Sequence, residues 1–483
     1  MNLARLFTDT AADRPDAIAL RLDDQTFTYA KVAEASARVA GLLAAQGVAA
    51  GDRVAVMLPN VPEFAFVYYG VLRAGAVVVP MNPLFKAREV AYYLADSGAK
   101  VVFASPSAAP EVATALAAGA TASMVVVDRA VEDTAVILYT SGTTGRPKGA
   151  ELTHGNLVRN VEVTQSDLVQ LTSDDVVFGG LPLFHSFGQT VTLNSSMAQG
   201  ATLVLLPRFD AATAAGLLAA HGATVFAGVP TMYAVLLGLT DPPALPQLRV
   251  CVSGGAALPV EVLRRFEKTF GAEVLEGYGL SETSPVASFN RPGPGRKPGS
   301  IGYPVTGVEM QVVDSTGAPL AGGEVGEIAI RGHNVMKGYW NKPDATAAVL
   351  DDDGWFRTGD LGCVDEDGFY FVVDRKKDLI IRGGFNIYPR EIEEVLHEHP
   401  DVAAAAVVGI AHPSFGEEVG AAVVLRPGAG VTEAELRGFV KAQVAAYKYP
   451  RVLWFLDALP LGPTGKVLKR EIVAPVSFEE DAR

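Results

Sequence analysis

The chain has 483 residues, a net charge of −14 and a hydrophobic fraction of 49%, which describes an acidic globular protein too long for one ordinary core. The negative charge argues against a general nucleic-acid binder, because phosphate contacts need a basic face. The two cysteines, Cys251 and Cys363, lie far apart in the chain and indicate neither a disulfide scaffold nor a cysteine-ligated metal site.

Short β-branched runs alternate with alanine- and leucine-rich stretches through the first three quarters of the chain. This alternation predicts strand–helix–strand units, and hence largely parallel sheets covered by helices. The predicted strands are 53–58, 76–80, 100–104, 124–128, 136–139 and 201–206, with a helix at 63–72.

The pattern changes in the last third of the chain. Strands at 308–314, 326–331 and 368–374 are joined by glycine and aspartate turns, which predicts a small β-rich subdomain at about 302–373. Beyond it, an α+β module is predicted from helices at 389–399 and 432–446 and strands at 402–410 and 417–425. The expected architecture is α/β: a large N-terminal domain of stacked βαβ-type sheets at 1–373, a tight boundary at 374–377 and a small C-terminal α+β domain at 378–483.

The segment YTSGTTGRPKG, residues 139–149, follows directly after an apolar run. Glycines let backbone N–H groups converge on an anion, hydroxyl side chains add donors, and Lys148 adds positive charge. The spacing is not the Walker pattern, since Pro147 stands where that pattern has a glycine. The segment therefore predicts a polyphosphate loop of another kind.

YTSGTTGRPKG resembles the signature of the adenylate-forming superfamily, which includes acyl-CoA synthetases, 4-coumarate–CoA ligases, adenylation domains of peptide synthetases and firefly luciferase. Further motifs follow in the family's order to near the end of the chain. The resemblance implies an enzyme that uses ATP and Mg²⁺ to activate a carboxylic acid as an acyl-adenylate and then transfers the acyl group to the thiol of CoA. The implied phosphate-loop residues are Thr140, Ser141, Gly142, Thr143, Thr144, Gly145 and Lys148.

The motif EGYGLSET, residues 276–283, follows another apolar run and is predicted to lie at a strand's carboxyl end, where open α/β sheets bind ligands. The resemblance implies that Tyr278 stacks on adenine, that Thr283 contacts the α-phosphate and that Glu282 serves the metal ion. The rest of this nucleotide segment comprises Glu276, Gly277 and Gly279.

Two further motifs are implied to contact the nucleotide. The SGGA segment contributes Gly254, Gly255 and Ala256, which the family places against adenine and the acyl group. In GWFRTGD, Asp360 is implied to bind the ribose, because a carboxylate accepts hydrogen bonds from two vicinal hydroxyls.

The C-terminal motifs are implied to move during the reaction. In DRKKDLIIRGG, the resemblance implies that Arg375 lies near ribose and phosphate, that residues 374–377 form a hinge, and that a mobile C-terminal domain at 378–483 turns about Lys377. It also implies that Gly383 and Gly384 belong to the loop that borders the thiol tunnel. Lys466, in LGPTGK, is implied to bridge the substrate carboxylate and the α-phosphate during adenylation.

The acyl site is predicted around PLFHSFG, where His185 is implied to flank the acyl carboxylate and gate thiol entry; a buried core histidine is the alternative. The pocket lining is predicted to be small and apolar, without a lysine or arginine for a second carboxylate. Malonate-activating relatives carry an arginine where this chain has Gly277, which disfavours a dicarboxylate. The predicted pocket residues are Gln189, Gly228, Val229, Pro230 and Pro285.

A medium- or long-chain fatty acid is the expected substrate, and an aryl-propenoic acid is the second candidate. An acyl-carrier-protein ligase remains the alternative to a CoA ligase, although AAYKYP at 445–450 matches the CoA-ligase pattern. A luciferase-like monooxygenase acting on the adenylate is a less favoured alternative, which light emission or oxygen consumption with a luciferin would reveal. A non-catalytic binder is disfavoured, since it would be expected to lack Lys466 or Glu282 and both are present. The sequence predicts no membrane span and no secretory signal, and the expected protein is a cytoplasmic monomer or homodimer.

Overall fold

The computed structural model describes residues 1–104, 121–140, 146–462 and 465–475, and the statements below refer to these residues. The helices of four or more residues in the α conformation are α1 (Ala4–Asp13), α2 (Tyr29–Ala45), α3 (Pro62–Arg73), α4 (Ala87–Ser97), α5 (His154–Val163), α6 (Ser195–Gln199), α7 (Ala211–Ala220), α8 (Pro230–Leu237), α9 (Val260–Phe270), α10 (Pro343–Ala347), α11 (Pro389–Glu398) and α12 (Glu433–Gln443).

The strands are β1 (Ile18–Leu22), β2 (Gln25–Thr28), β3 (Arg53–Met57), β4 (Val77–Pro80), β5 (Val101–Ala104), β6 (Thr134–Thr140), β7 (Lys148–Thr153), β8 (Val176–Gly179), β9 (Thr202–Leu205), β10 (Val225–Gly228), β11 (Val250–Ser253), β12 (Glu273–Gly279), β13 (Val286–Phe289), β14 (Tyr303–Pro304), β15 (Val308–Val313), β16 (Gly326–Gly332), β17 (Gly338–Tyr339), β18 (Phe356–Val364), β19 (Tyr370–Arg375), β20 (Ile380–Arg382), β21 (Phe385–Ile387), β22 (Val402–His412), β23 (Gly416–Leu425) and β24 (Val452–Phe455).

Two large sheets form the body of the chain. A nine-stranded sheet has the order β14-β13-β12-β11-β10-β8-β9-β1-β2, and a six-stranded sheet has the order β17-β7-β6-β4-β3-β5. The strands from β12 to β1 in the first sheet are parallel, as are β6, β4, β3 and β5 in the second. Parallel strands need helical crossovers and bury both faces, which explains the continuous apolar runs in the sequence.

The predicted α/β class is confirmed, with two smaller sheets after the large ones. The strands β15, β16, β18 and β19 form an antiparallel sheet in that order. A last sheet has the order β21-β20-β23-β22, with β24 added beside β23. The main hydrophobic core extends to Tyr370, and a separate core begins at Ile380. The proposed hinge at 374–377 lies between these two cores.

Two local predictions differ from the structure. No strand forms at 124–128; Val127 donates its backbone N–H to the carbonyl of Arg73 at the end of α3, and Met124 and Val125 are exposed. The predicted β-rich subdomain is also interrupted, because β17 leaves it to pair with β7 in the six-stranded sheet. Among the described residues, no helix combines the length and the apolar character that crossing a membrane requires.

Candidate active site

The carboxyl ends of three neighbouring strands bring the predicted motifs together. In the register of the nine-stranded sheet, Gly228 at the end of β10 lies opposite Ser253 of β11, which lies opposite Glu276 of β12. The segments that follow these residues therefore leave the sheet at one edge. This is the edge at which open parallel sheets bind ligands.

Tyr278, Asp360 and Arg375 form one hydrogen-bonded and charged group. The phenol of Tyr278 donates to Oδ2 of Asp360 at 2.7 Å, and Nε of Arg375 lies 3.4 Å from Oδ1 of the same carboxylate. Asp360 and Arg375 are also paired in register across β18 and β19. Burial raises the pKa of the Tyr278 phenol well above its ordinary value, with the charge of Asp360 acting in the same direction. Tyr278 therefore stays a hydrogen-bond donor to Asp360 at neutral pH.

Glu282 is buried beside the ends of the strands that flank the phosphate loop. Its Oε1 accepts hydrogen bonds from the hydroxyls of Thr140 at 3.1 Å and Tyr339 at 3.0 Å. Thr140 pairs in register with Lys148 across β6 and β7, and Nζ of Lys148 lies 4.4 Å from the ring centroid of Tyr339. The two ends of the predicted loop are thus held next to Glu282. Ser141, Gly142, Thr143, Thr144 and Gly145 lie outside the described residues.

Lys466 reaches this site from the C-terminal part of the chain. A Cβ atom added to Gly255 would lie 3.1 Å from Cε of Lys466, so a side chain at position 255 would crowd the lysine. Gly255 also has a φ of +84°, which favours glycine. The turn that carries the lysine is anchored by the hydroxyl of Thr231, which donates to the carbonyl of Gly465 at 2.9 Å.

The charges around Lys466 explain its proton affinity. Burial and, to a smaller extent, the charge of Arg375 lower the pKa of its ammonium to about 8, against the opposing effect of Asp360 and Glu282. The lysine therefore lies among the same residues that surround Tyr278. A cation in such a desolvated site interacts strongly with anions that enter it.

His185 lies on the same side of the site as the lysine. Burial lowers the pKa of its imidazole to about 3, and the charge of Lys466 acts in the same direction. Its Nδ1 accepts the backbone N–H of Phe187 at 3.3 Å. The ring is therefore neutral at pH 7, and its proposed role beside the acyl carboxylate stays a prediction.

Several predicted nucleotide residues have internal partners. The side chain of Thr283 is fully buried, and its hydroxyl donates a hydrogen bond of 2.6 Å to the carbonyl of Pro285. The carboxylate of Glu276 accepts the backbone N–H groups of Leu258 at 3.1 Å and Gly299 at 3.2 Å. Burial raises the pKa of Glu276 to about 7, against the opposing effect of Arg390. Nucleotide contacts by Thr283 and Glu276 stay predictions.

The glycines of the motif at 276–279 are required by packing. A Cβ atom at Gly277 would lie 2.4 Å from the Phe289 ring, and one at Gly279 would lie 1.7 Å from the carbonyl oxygen of Pro285. Gly254 lies against the ring of Phe187, whereas Ala256 is exposed. The proposed contacts of these residues with adenine stay predictions.

The predicted acyl-pocket residues lie around the same strand ends. Gly228 ends β10, Val229 follows it and is 3% exposed, and Pro230 begins α8. Gln189 is completely buried in a π-helical turn at Gly188–Asn194, and both of its amide atoms lack a hydrogen-bond partner. Its backbone N–H donates to the carbonyl of His185, one turn earlier.

The predicted hinge and tunnel residues lie on the C-terminal side of β19. Lys377 is exposed in a turn closed by the backbone N–H of Asp378, which donates to the carbonyl of Arg375. Gly383 and Gly384 form the exposed turn between β20 and β21. The backbone N–H of Gly383 donates to the carbonyl of Phe415 within the C-terminal module. Their roles in rotation and thiol binding stay predictions.

Two residues at the site, Tyr339 and Arg390, were missed by sequence reasoning. Tyr339 contacts Glu282 from a distant segment and lies in no recognisable motif. Thr231, which contacts the lysine turn, ends the segment AGVPT that the resemblance places at the acyl site. Arg390 acts on the charge of Glu276 from α11. Only its place in the first turn of a predicted helix, next to Pro389, marked it in the sequence.

A Mg²⁺ ion is compatible with the donors present. No cluster of three or more histidine, cysteine, aspartate or glutamate side chains is found in the part of the chain that the structure describes. Mg²⁺ in nucleotide enzymes is commonly held by one or two carboxylates, substrate phosphates and water. Oε2 of Glu282, next to the phosphate-loop strands, has no protein hydrogen-bond partner among the described residues and fits that need.

Two family models match the chain over most of its length. The AMP-binding enzyme model matches residues 7–340, and the AMP-binding enzyme C-terminal domain model matches residues 391–466. The chain is 37% identical to the long-chain-fatty-acid–CoA ligase of Bacillus subtilis, covering 98% of this chain and 94% of that protein. It is 39% identical to the feruloyl-CoA synthase of an Amycolatopsis species, covering 95% of this chain and 96% of that protein.

The solved structures agree with these matches. The crystal structure of ATP-bound MatB from Rhodopseudomonas palustris is 36% identical, covers 97% of this chain and 98% of its own, and has a TM-score of 0.89. The apo structure of the same protein has a TM-score of 0.79. The chain therefore belongs to the AMP-binding enzymes of the adenylate-forming acyl-CoA synthetase superfamily and is an AMP-forming acid–CoA ligase.

Proposed function

We propose that this ligase forms an acyl-adenylate and then an acyl-CoA in one cleft, between the strand ends of β10–β12 and the C-terminal module. The observation that carries the proposal is the approach of Lys466 to Gly255, within electrostatic range of Asp360 and Glu282. In this arrangement a cation from the tail of the chain lies where an organic acid and a nucleotide would meet.

The first half-reaction joins two anions, so the protein must position them and offset their charge. The acid's carboxylate oxygen attacks the α-phosphorus of ATP, and pyrophosphate leaves. Lys466 neutralises charge between carboxylate and phosphate, and Lys148 lies at the end of the phosphate loop beside Tyr339. Asp360 accepts hydrogen bonds from the ribose, and Tyr278 provides an aromatic face for adenine and holds Asp360 in place.

Glu282 would hold Mg²⁺, which when bound neutralises phosphate charge. The hydroxyls of Thr140 and Tyr339 fix Oε1 of this carboxylate and leave the other oxygen for the ion. Ser141, Gly142, Thr143, Thr144 and Gly145 would donate to the phosphates in the proposed loop. These assignments rest on the family motifs and on the position of Thr140 and Lys148 at the two ends of the loop.

In the second half-reaction the sulfur of CoA attacks the acyl carbonyl carbon, and AMP leaves. We propose that the C-terminal module turns about Lys377, which withdraws Lys466 and brings Gly383 and Gly384 to the thiol path. The exposure of this hinge turn and of the glycine turn is compatible with such a motion. Transfer to an acyl carrier protein remains the alternative second step.

Two classes of acid agree with the residues proposed for the acyl site. A medium- or long-chain fatty acid agrees with the small apolar residues Gly228, Val229 and Pro285, and one relative is a long-chain-fatty-acid–CoA ligase. An oxygenated aryl-propenoic acid is favoured by Gln189, because a fully buried amide without partners is stabilised when a ligand supplies them. Another relative is a feruloyl-CoA synthase.

The test is acid-dependent pyrophosphate release over a panel of octanoate, palmitate, benzoate and ferulate, with CoA and a carrier protein offered separately. We expect AMP and an acyl-CoA from at least one acid, and no thioester on the carrier. Absence of pyrophosphate release with every acid would contradict the proposed function. Loading of the carrier but not CoA would contradict the thiol assignment alone.

A further inference from the structure

A second contact between the two parts of the chain lies away from Lys466, where α11 packs beside β19 and α9. We propose that Arg390 and Glu394 of α11 are positioning residues that latch the C-terminal module in the orientation that places Lys466 in the site. This inference rests on the proposed two-step function, because a latch matters only if the module is released between steps.

The first part of the latch is a helix cap supplied from the other module. Helix α9 begins at Val260, and the preceding Pro259 provides no side-chain cap. Instead, Oε2 of Glu394 accepts the backbone N–H of Val260 at 3.3 Å. The first N–H groups of a helix lack intrahelical partners and favour a negative charge. Rotation of the module would break this hydrogen bond, and the Val260 N–H and the Glu394 carboxylate would each lose a partner.

A second cap is found at the start of α11. The residue before this helix, Tyr388, provides no side-chain cap. Oδ2 of Asp374, the first residue of the proposed hinge, accepts the backbone N–H of Arg390 at 3.0 Å. Glu394 therefore caps a helix across the hinge, and the hinge itself caps α11. Such paired caps favour one relative orientation, since both need their partners at hydrogen-bond distance.

The second part of the latch is the side chain of Arg390. Its guanidinium donates to the carbonyl of Val372 and, at 3.4 Å, to the carbonyl of Gly299. The backbone N–H of Gly299 in turn donates to Oε2 of Glu276, so Gly299 is held between the two charged side chains. The side chain of Arg390 is 15% exposed, and its positive charge opposes the rise in the pKa of Glu276 that burial causes.

This contact is connected to the nucleotide site through one strand. Glu276 lies two residues before Tyr278 on β12, and side chains two apart on a strand face the same side. The latch therefore links α11, through Gly299, to the strand whose end carries Tyr278, the proposed adenine residue. An ion pair between Lys469 and Glu393, at 2.7 Å, supports the helix from the segment that follows Lys466.

A control is available on the same helix. Glu391 pairs with Lys448 at 2.7 Å, and both residues lie in the C-terminal module. Replacing Glu391 with alanine removes a carboxylate from α11 without removing a contact across the two modules. The test variants are Arg390→Ala, Arg390→Lys and Glu394→Ala, with Glu391→Ala as the control.

The experiment measures the two half-reactions separately on the full chain. Acid-dependent ATP–pyrophosphate exchange reports adenylation, and conversion of synthetic acyl-adenylate with CoA reports thioester formation. We expect kcat/KM for exchange to fall about tenfold in Arg390→Ala and Glu394→Ala, as for the loss of a hydrogen bond to a charged group. Thioester formation should be unchanged or faster, Arg390→Lys should recover part of the exchange, and Glu391→Ala should match the parent.

A second readout does not depend on activity. The basic turn at 375–377 is exposed, so limited trypsin digestion reports how firmly the modules are held together. Arg390→Ala and Glu394→Ala should be cut faster than Glu391→Ala at equal thermal stability. Equal loss of both half-reactions, or no change in either together with unchanged cleavage, would overturn the latch. If the parent chain shows no exchange with any acid, the proposed function fails, and faster cleavage of the two variants still decides the latch.

Discussion

The phenol of Tyr278 donates a hydrogen bond of 2.7 Å to Asp360, which joins the end of the nine-stranded sheet to the antiparallel sheet that follows it. The two residues lie 82 positions apart in the chain. Because Tyr278 and Asp360 are the proposed adenine and ribose residues, this bond fixes the spacing between the two ends of the nucleoside subsite. It leaves one of the two carboxylate oxygens within reach of Arg375.

Replacing Asp360 by asparagine should raise the KM for ATP about 10- to 100-fold, because hydrogen bonds to a charged acceptor are worth roughly 1.5–3 kcal/mol. Tyr278→Phe keeps the aromatic ring and loses only the bond to Asp360, so a smaller rise is expected. Steady-state kinetics with varied ATP and a saturating acid measure both effects. An equal KM in Asp360→Asn and the parent would contradict the ribose assignment.

Lys466→Ala should abolish acid-dependent pyrophosphate exchange and spare thioester formation from supplied acyl-adenylate. The reason is that the lysine neutralises charge only while carboxylate and phosphate combine. Lys441→Ala, which removes an exposed lysine from α12 of the same module, is the matched control. Loss of both half-reactions in Lys466→Ala, at an unchanged melting temperature, would argue against rotation of the module.

Adenylation should weaken as pH rises through about 8 at low ATP concentration, because the pKa of Lys466 is lowered to about 8 and only its protonated form is effective. The pH profile of kcat/KM for exchange, taken from pH 7 to 9.5, measures this fall in activity. The Lys466→Arg variant stays charged throughout this pH range, so its kcat/KM should not fall above pH 8. A flat profile for the parent chain would show that this titration does not limit adenylation.

Gln189→Met should favour fatty acids over oxygenated aryl acids. The change removes a buried amide whose two polar atoms have no partners, so we also expect a gain of about 1 kcal/mol in the free energy of unfolding without ligand. The ratio of kcat/KM for ferulate to that for octanoate should fall about tenfold. Thr190→Val is the neighbouring control, since this hydroxyl already donates to the carbonyl of Ser284. An unchanged ratio in Gln189→Met would argue against a polar group on the acid.

Glu282→Gln should raise the Mg²⁺ concentration needed for half-maximal exchange, because Mg²⁺ prefers charged carboxylate oxygens. The hydrogen bonds from Thr140 and Tyr339 can still be accepted by the amide oxygen, so the local packing is retained. Titration of exchange activity with MgCl₂ measures the effect. Tyr339→Phe, which removes one of the two donors, should change the Mg²⁺ requirement less.

The sequence by itself determined the strand-and-helix alternation and the motifs at 139–149 and 276–283. Apolar runs, glycines and hydroxyl residues fix these features through contacts between near neighbours in the chain. It also determined the family, because the order and spacing of the motifs carry that information.

Only the tertiary structure decided which side chains meet. It turned the Thr283 hydroxyl inward to Pro285, gave Glu276 two backbone donors and brought Lys466 next to Gly255. It also left 124–128 without a strand partner. The physical reason is that hydrogen-bond satisfaction and close packing are settled between segments far apart in the chain, and local sequence patterns do not contain those partners.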